Sequence, residues 1–248
     1  MPNDYFQFKQ FRVEQAGCAQ KVSTDACLLG AAADLTGATR VLDLGTGTGL
    51  LALMVAQRAP EAAIEAIELD QAAATQAAAN VAASPWASRI RVRALSLAAY
   101  AATQPAPPAG ADWRFSHIIC NPPFFQRSLL PPGAPRATAR HAGASSLTFE
   151  EIVAFAAGFL LPQGRLVVLL PPPEMVHFAA VARGAGLAVA AQLAVRHRPG
   201  GRLTRCIWEF KAVGAPALVA QELVIEDPAG GGYSAAFRQL LAPFYLQL

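Results

Sequence analysis

Asn121-Pro122-Pro123-Phe124 combines residue types suited to one kind of chemistry. Proline fixes φ at about −65° and lacks an amide donor. A planar amine entering here would therefore meet acceptors, the Asn121 Oδ1 and the Pro122 carbonyl. Each can take one N–H, while Phe124 stacks on the ring that carries the amine and the nitrogen lone pair turns toward an electrophile. Accepting both hydrogens favours a pyramidal nitrogen and stabilises charge developing on it, so no strong base is required. Alone, such a tetrapeptide is only a strand end closed by prolines. Its weight comes from what precedes it.

Val41-Leu-Asp-Leu-Gly-Thr-Gly-Thr-Gly49 places a glycine-rich turn between an apolar strand and an amphipathic helix, where open α/β sheets bind ligands. The spacing is G-x-G-x-G, through Gly45, Gly47 and Gly49 with Thr46 between, not the G-x-G-x-x-G of dinucleotide enzymes. Asp43 just ahead of the turn suits a ligand ammonium better than a pyrophosphate. About 20 residues on, an acid can accept both hydroxyls of a ribose; Glu68, followed by Leu69, is the candidate. Together these describe a nucleoside bearing an amino acid, in outline S-adenosylmethionine. Ser96, followed by Leu97, stands where it can accept from the adenine amine, more weakly than a carboxylate would.

The elements that must hold these residues read as an alternating α/β chain. Strands are expected over 40–44, 63–68, 90–94, 117–120, 165–170, 187–195 and 205–211, and helices over 50–58, 72–83, 149–161 and 174–185. The expected fold is a Rossmann-like α/β architecture, a seven-stranded, mostly parallel sheet with helices on both faces. Thr148-Phe-Glu-Glu151 opens the third helix as a capping box. Pro105–Gly110 and Pro131–Pro135 are loops, since neither tolerates helix or central strand.

Composition bounds the rest. The 248 residues fit one domain, 1–248, read as a segment of about 1–36 that covers the cofactor and a catalytic core of about 37–248. No run of about 18 uncharged apolar residues is present, so no membrane span is expected, and the N-terminus lacks the pattern of a secretory signal, which predicts a cytoplasmic location. The four cysteines have no C-x-x-C spacing; neither a disulfide framework nor a metal site is expected. A net charge of +3 does not by itself argue for nucleic acid. The distribution says more: Arg136, Arg140 and His141 follow the tetrapeptide, and Arg196, Arg198, Arg202 and Arg205 cluster later. Both clusters are candidate RNA contacts, with a merely solvated face as the alternative for any one of them.

The tetrapeptide and glycine turn resemble the class I methyltransferases whose N-P-P-[FY] motif serves amino nitrogens of adenine, guanine or glutamine. Phe8-Lys-Gln-Phe11, Cys18 through Asp25, Leu28-Leu-Gly30, Ser84-Pro-Trp86, Tyr233-Ser and Pro243-Phe-Tyr245 extend the likeness across the chain, to the bacterial tRNA1(Val) adenine-37 N6-methyltransferases. That resemblance implies S-adenosylmethionine as cofactor and the anticodon region of valine tRNA as substrate. It also implies that Lys21, Thr24 and Asp25 close over the cofactor. A base must be splayed out of the anticodon loop to enter such a site. A monomer is expected. Ser96 and Ser116 depart from the family pattern, where Asp is common, and Phe124 stands where Tyr is frequent. Competing readings are a guanine-N2 rRNA methyltransferase, a glutamine-N5 methyltransferase and, outside enzymes, a cofactor-binding RNA adaptor without turnover.

Overall fold

The computed structural model describes residues 4–104, 113–122, 147–212 and 218–248. In chain order these form β1 (Tyr5–Gln7), β2 (Arg12–Glu14), α1 (Thr24–Ala32), β3 (Arg40–Leu44), α2 (Leu50–Arg58), β4 (Ala63–Glu68), α3 (Gln71–Ala82), β5 (Ile90–Ala94), α4 (Leu97–Thr103) and β6 (Phe115–Cys120). They continue with α5 (Phe149–Phe159), β7 (Leu160–Leu170), α6 (Pro172–Gly184), β8 (Leu187–Arg196), β9 (Leu203–Ala212), β10 (Val219–Val224) and α7 (Ala235–Leu241).

The main sheet runs β10-β8-β9-β7-β6-β3-β4-β5, and β1 and β2 form a separate antiparallel pair. Pairing is parallel except where β9 enters between β7 and β8. All seven expected strands are present, and the sheet has an eighth, β10. Its first four residues are exposed at the sheet edge, so it lacks the apolar alternation that marks a half-buried strand.

Side chains alternate across the central strands and feed two cores. Val41, Ile64, Ala66, Ile119, Val167 and Leu169 pack toward the face that buries parts of α1, α2 and α7. Leu42, Leu44, Ile118, Cys120, Leu166 and Leu170 pack with Tyr100 of α4, Phe155 of α5 and Phe178 of α6. β6 is buried along its whole length, as a central strand covered on both faces must be. At its start, the Ser116 hydroxyl accepts from the Thr39 and Arg40 amides and donates to the Arg40 carbonyl, which pins β6 to β3.

The expected capping box at α5 is present: Thr148 accepts from the Glu151 amide while the Glu151 carboxylate accepts from the Thr148 amide. It fixes the start of α5. Among the described residues, no helix is long and apolar enough to cross a membrane, and no group of three or more His, Cys, Asp or Glu side chains could hold a metal.

Candidate cofactor and amine site

β3, β4 and β6 are adjacent and parallel, so their C-terminal ends meet along one edge. There the chain forms a cleft of about 450 Å³, whose lining includes Gly45, Gly47, Glu68, Leu69, Ser96, Leu97 and Asn121. These come from four separate crossovers, the arrangement by which open α/β sheets build ligand sites. A larger groove of about 1170 Å³ flanks α1, α7 and β8–β10. It contains none of the predicted site residues, and several of its charges pair with one another, Arg165 with Asp34 and Glu209, and Lys211 with Glu209.

Gly45 and Gly47 adopt positive φ, 69° and 54°, a conformation that costs side-chain-bearing residues energy. The Glu68 carboxylate reaches across and braces this turn: Oε2 accepts from the Gly47 amide at 2.9 Å, and Oε1 accepts from the Asp70 amide at 2.9 Å. A carboxylate offers about four acceptor positions, so two remain. Leu69 is 48% exposed and lines the cleft, an apolar surface that a flat base would cover.

Asp43, Thr46 and Gly49 are placed differently from the expectation. They lie beneath the turn and do not line the cleft. Asp43 is 1% exposed; its Oδ2 accepts from Thr46 Oγ1 at 2.5 Å and from the Ala52 amide at 3.1 Å. It thus ties the turn to the first turn of α2. Gly49 is the N-cap of α2 at φ 84°, a left-handed conformation that favours glycine, and it packs against Ala77 of α3. Asp43 Oδ1 is buried without a hydrogen-bond partner among the described residues.

Burial raises the Asp43 carboxyl to about 7, with Glu68 adding a smaller push in the same direction. Between its ordinary value of 3.8 and about 7, the folded chain holds a proton that the unfolded chain has released. This group's contribution to stability is therefore complete below 3.8 and is lost as pH rises through 7. His117, pushed down to about 4 mainly by burial, has the opposite sign, and its contribution is lost as pH falls. Comparing parent with Asp43→Asn cancels the histidine. The variant should lose stability less steeply between about pH 5 and 7 in urea titrations; parallel profiles would place the titration elsewhere.

The resemblance placed Lys21, Thr24 and Asp25 over the cofactor. In the structure the cleft is walled instead by the residues just before them, Gly17, Cys18, Ala19 and Gln20. Thr24 and Asp25 open α1, after the N-cap Ser23, and Asp25 pairs with Arg205 at 2.6 Å. Cys18, Ala19 and Gln20 lie in the segment that carries the resemblance, which assigns them no role of their own. Ser96 lines the cleft but caps α4, its Oγ accepting from the Ala99 amide at 3.1 Å. Its hydroxyl hydrogen is thus left to offer a ligand, as well as a weaker acceptor.

Asn121 stands one residue past β6, and its Oδ1 is buried with no partner among the described residues. Buried polar atoms are almost always satisfied, so an unpaired acceptor in a cleft wall marks a place for a donor. Pro122 is buried behind it. Pro123, Phe124, Arg136, Arg140 and His141 lie outside the described residues.

The second basic cluster is positioned by β9. Leu170, at the C-terminal end of β7, pairs with Cys206 in antiparallel β9, so the turn joining β8 to β9 lies at the cleft's end of the sheet. Arg196 pairs with Glu222, Arg198 with Glu226 and Arg205 with Asp25. Arg202 is exposed and has no ion pair among the described residues.

An open, largely parallel sheet with an acid-braced glycine turn and an unsatisfied asparagine acceptor at the next strand end defines a Rossmann-like methyltransferase. Accordingly, the family description "Methyltransferase small domain" matches residues 18–174. A tRNA1(Val) (adenine(37)-N6)-methyltransferase of Dyadobacter fermentans is 40% identical, over 99% of this chain and 98% of that protein. One of Bacteroides thetaiotaomicron is also 40% identical, over 100% of both. One of Yersinia pseudotuberculosis is 38% identical, over 97% of this chain and 93% of the relative. The chain belongs to the family of tRNA1(Val) (adenine(37)-N6)-methyltransferases. A solved structure of a predicted O-methyltransferase from Agrobacterium tumefaciens has a TM-score of 0.64 at 23% identity, over 89% of this chain and 96% of that one, a likeness of fold alone.

Proposed function

We propose that this chain transfers the methyl group of S-adenosylmethionine to the exocyclic N6 amine of an adenine in tRNA, at adenosine 37 of valine tRNA. The observation that carries the reading is the buried, unpartnered Oδ1 of Asn121 in the wall of the cleft that Glu68 and the glycine turn also line. When bound, S-adenosylmethionine supplies an electrophilic methyl group. The residues present fit that group: Glu68 accepts from the ribose hydroxyls, Gly45 and Gly47 let the backbone approach closely, and Ile67, Leu69 and Leu97 offer apolar surface to the base. Asp43 acts from beneath, by holding the turn. Asn121 Oδ1 and the Pro122 carbonyl accept the two amine hydrogens and orient the nitrogen lone pair, with Phe124 against the ring. The extra proton leaves to water after transfer.

The β8–β9 turn is the described surface assigned to the RNA, with Arg202 foremost because its basic neighbours are already paired. Arg202→Ala should weaken tRNA binding evenly across sequences and lower the salt slope by about one, leaving cofactor affinity alone. Titrations of tRNA at several salt concentrations check this; matching slopes would remove Arg202 from the interface. The chain is read as one catalytic unit acting as a monomer.

The reaction is tested by incubating the protein with methyl-labelled S-adenosylmethionine and unmodified valine tRNA, digesting the RNA and identifying the labelled nucleoside by mass spectrometry. Label in N6-methyladenosine is the expected result. Label in N2-methylguanosine, or in a protein glutamine, would keep the chemistry and overturn the substrate. Cofactor binding without label in any acceptor would favour an adaptor.

A further inference from the structure

Asn80 lies near the end of α3, in an Ala-rich helix whose other buried residues are Ala73, Ala74, Ala77 and Val81. It is 2% exposed, and its carboxamide is spent on backbone. Nδ2 donates to the Glu14 carbonyl at 2.8 Å and to the Thr48 carbonyl at 2.9 Å, while Oδ1 accepts from the Glu14 amide at 2.9 Å. Glu14 ends β2, and Thr48 belongs to the glycine turn. One side chain therefore joins two segments more than 30 residues apart in sequence, the one leading into the Gly17–Gln20 wall of the cleft and the other the glycine turn that also lines it.

The same helix face makes the neighbouring contacts. Ala77 packs against Gly49, Gln76 stands beside Gly17, and Ala73 itself lines the cleft. Beyond Glu14, the Gln15 side chain accepts from the Val22 amide at 2.8 Å and the Cys18 amide donates to the Gln15 carbonyl. These bonds close the 15–22 segment into a compact loop, and its middle, Gly17 to Gln20, forms the cleft wall. The other end of the β1–β2 pair is anchored at the chain's C-terminus: the Lys9 amide donates to the Phe244 carbonyl, and its Nζ to the Ala242 carbonyl. The loop is thus held from outside, and Asn80 sets its distance from the glycine turn.

We propose that Asn80 is a positioning residue for the cofactor, the clamp that holds the Gly17–Gln20 wall and the glycine turn at the separation S-adenosylmethionine requires. This rests on the cofactor reading given above. A buried amide bonded to three backbone groups resists small displacements, because any movement strands at least one of them unsatisfied. Asn80 touches neither the amine nor the methyl, so its loss should fall on cofactor affinity and spare the chemical step.

The test is calorimetric titration of S-adenosylhomocysteine into parent, Asn80→Ala and Asn80→Asp, with steady-state kinetics and hydrogen exchange over residues 15–22. Asn80→Asp keeps the shape and the Oδ1 acceptor while losing both donors. Expected are a Kd raised about tenfold or more, a matching rise in KM for S-adenosylmethionine, kcat at saturation within about threefold of parent, and faster exchange across the loop. A role in stability alone would lower Tm and leave the Kd of the folded protein unchanged, and that result overturns the proposal. Where the Asn80 variants do not fold, Gln15→Ala, which releases the Val22 amide at the far side of the same loop, is read in the same way, an unchanged Kd again being fatal. Absence of binding by the parent would strike the cofactor reading itself; binding equal in parent and variants strikes only Asn80.

Discussion

Asn121→Ala should lower kcat by about two to three orders of magnitude, the range found when one preorganised hydrogen-bonding group is removed from a site of developing charge. Cofactor affinity should change little, because Glu68 and the turn glycines are untouched. The expectation rests on how firmly the acceptor is held. Cys120 is paired on both sides, with Leu44 and with Val168, and its thiol donates to the Leu44 carbonyl at 3.4 Å. The next residue then presents a buried Oδ1 that no described group satisfies, with Pro122 fixing the backbone after it. Asn121→Asp is the sharper companion, because it keeps an acceptor of the same shape and should retain more turnover than the alanine variant. Single-turnover rates at saturating cofactor and tRNA measure the effect. Near-parental rates in Asn121→Ala would remove the amine-orienting role, and equal losses in both variants would replace it with a need for the neutral carboxamide.

The parts of the fold legible in the sequence are those in which one local signal suffices. The strand 40–44 and helix 50–58 carry dense aliphatic runs, and the glycine turn between them has a spacing few other structures require. Thr148 and Glu151 stand three residues apart, so their capping box is visible without any tertiary contact. What was not legible depends on partners distant in the chain. α1 reads Thr-Asp-Ala-Cys-Leu-Leu-Gly-Ala-Ala and has five buried residues in a row, so it shows no helical periodicity to detect. Asn80 reads as a solvated residue until Glu14, 66 positions earlier, closes on it. Arg205 reads as a free basic residue until Asp25, 180 positions away, pairs with it. The difference at Asp43 has another origin. The motif correctly marked a carboxylate that matters to the turn, but a motif does not say whether a side chain points at the ligand or holds the loop that does.

Glu68→Ala should raise the Kd for S-adenosylhomocysteine by about 100-fold. Hydrogen bonds to charged groups contribute about 1.5 to 3 kcal/mol each, so losing two, one to each ribose hydroxyl, at the lower figure removes about 3 kcal/mol, or roughly two orders of magnitude. The carboxylate does two jobs, and a second variant separates them. Oε2 braces the Gly47 amide and Oε1 the Asp70 amide, so alanine removes both the ligand contact and the support of the turn. Glu68→Gln retains one oxygen acceptor and the side-chain length while losing the charge, and should cost about tenfold. A nucleoside without the amino-acid tail, such as adenosine, tests the ribose contact directly, since its binding should be lost in step with that of the full ligand. If Glu68→Ala instead weakens S-adenosylhomocysteine while leaving adenosine unaffected, the carboxylate acts through the glycine turn on the amino-acid end, and the ribose hydroxyls must find their acceptor elsewhere. If both ligands bind within about threefold of parent, Glu68 belongs to the scaffold, as Asp43 does.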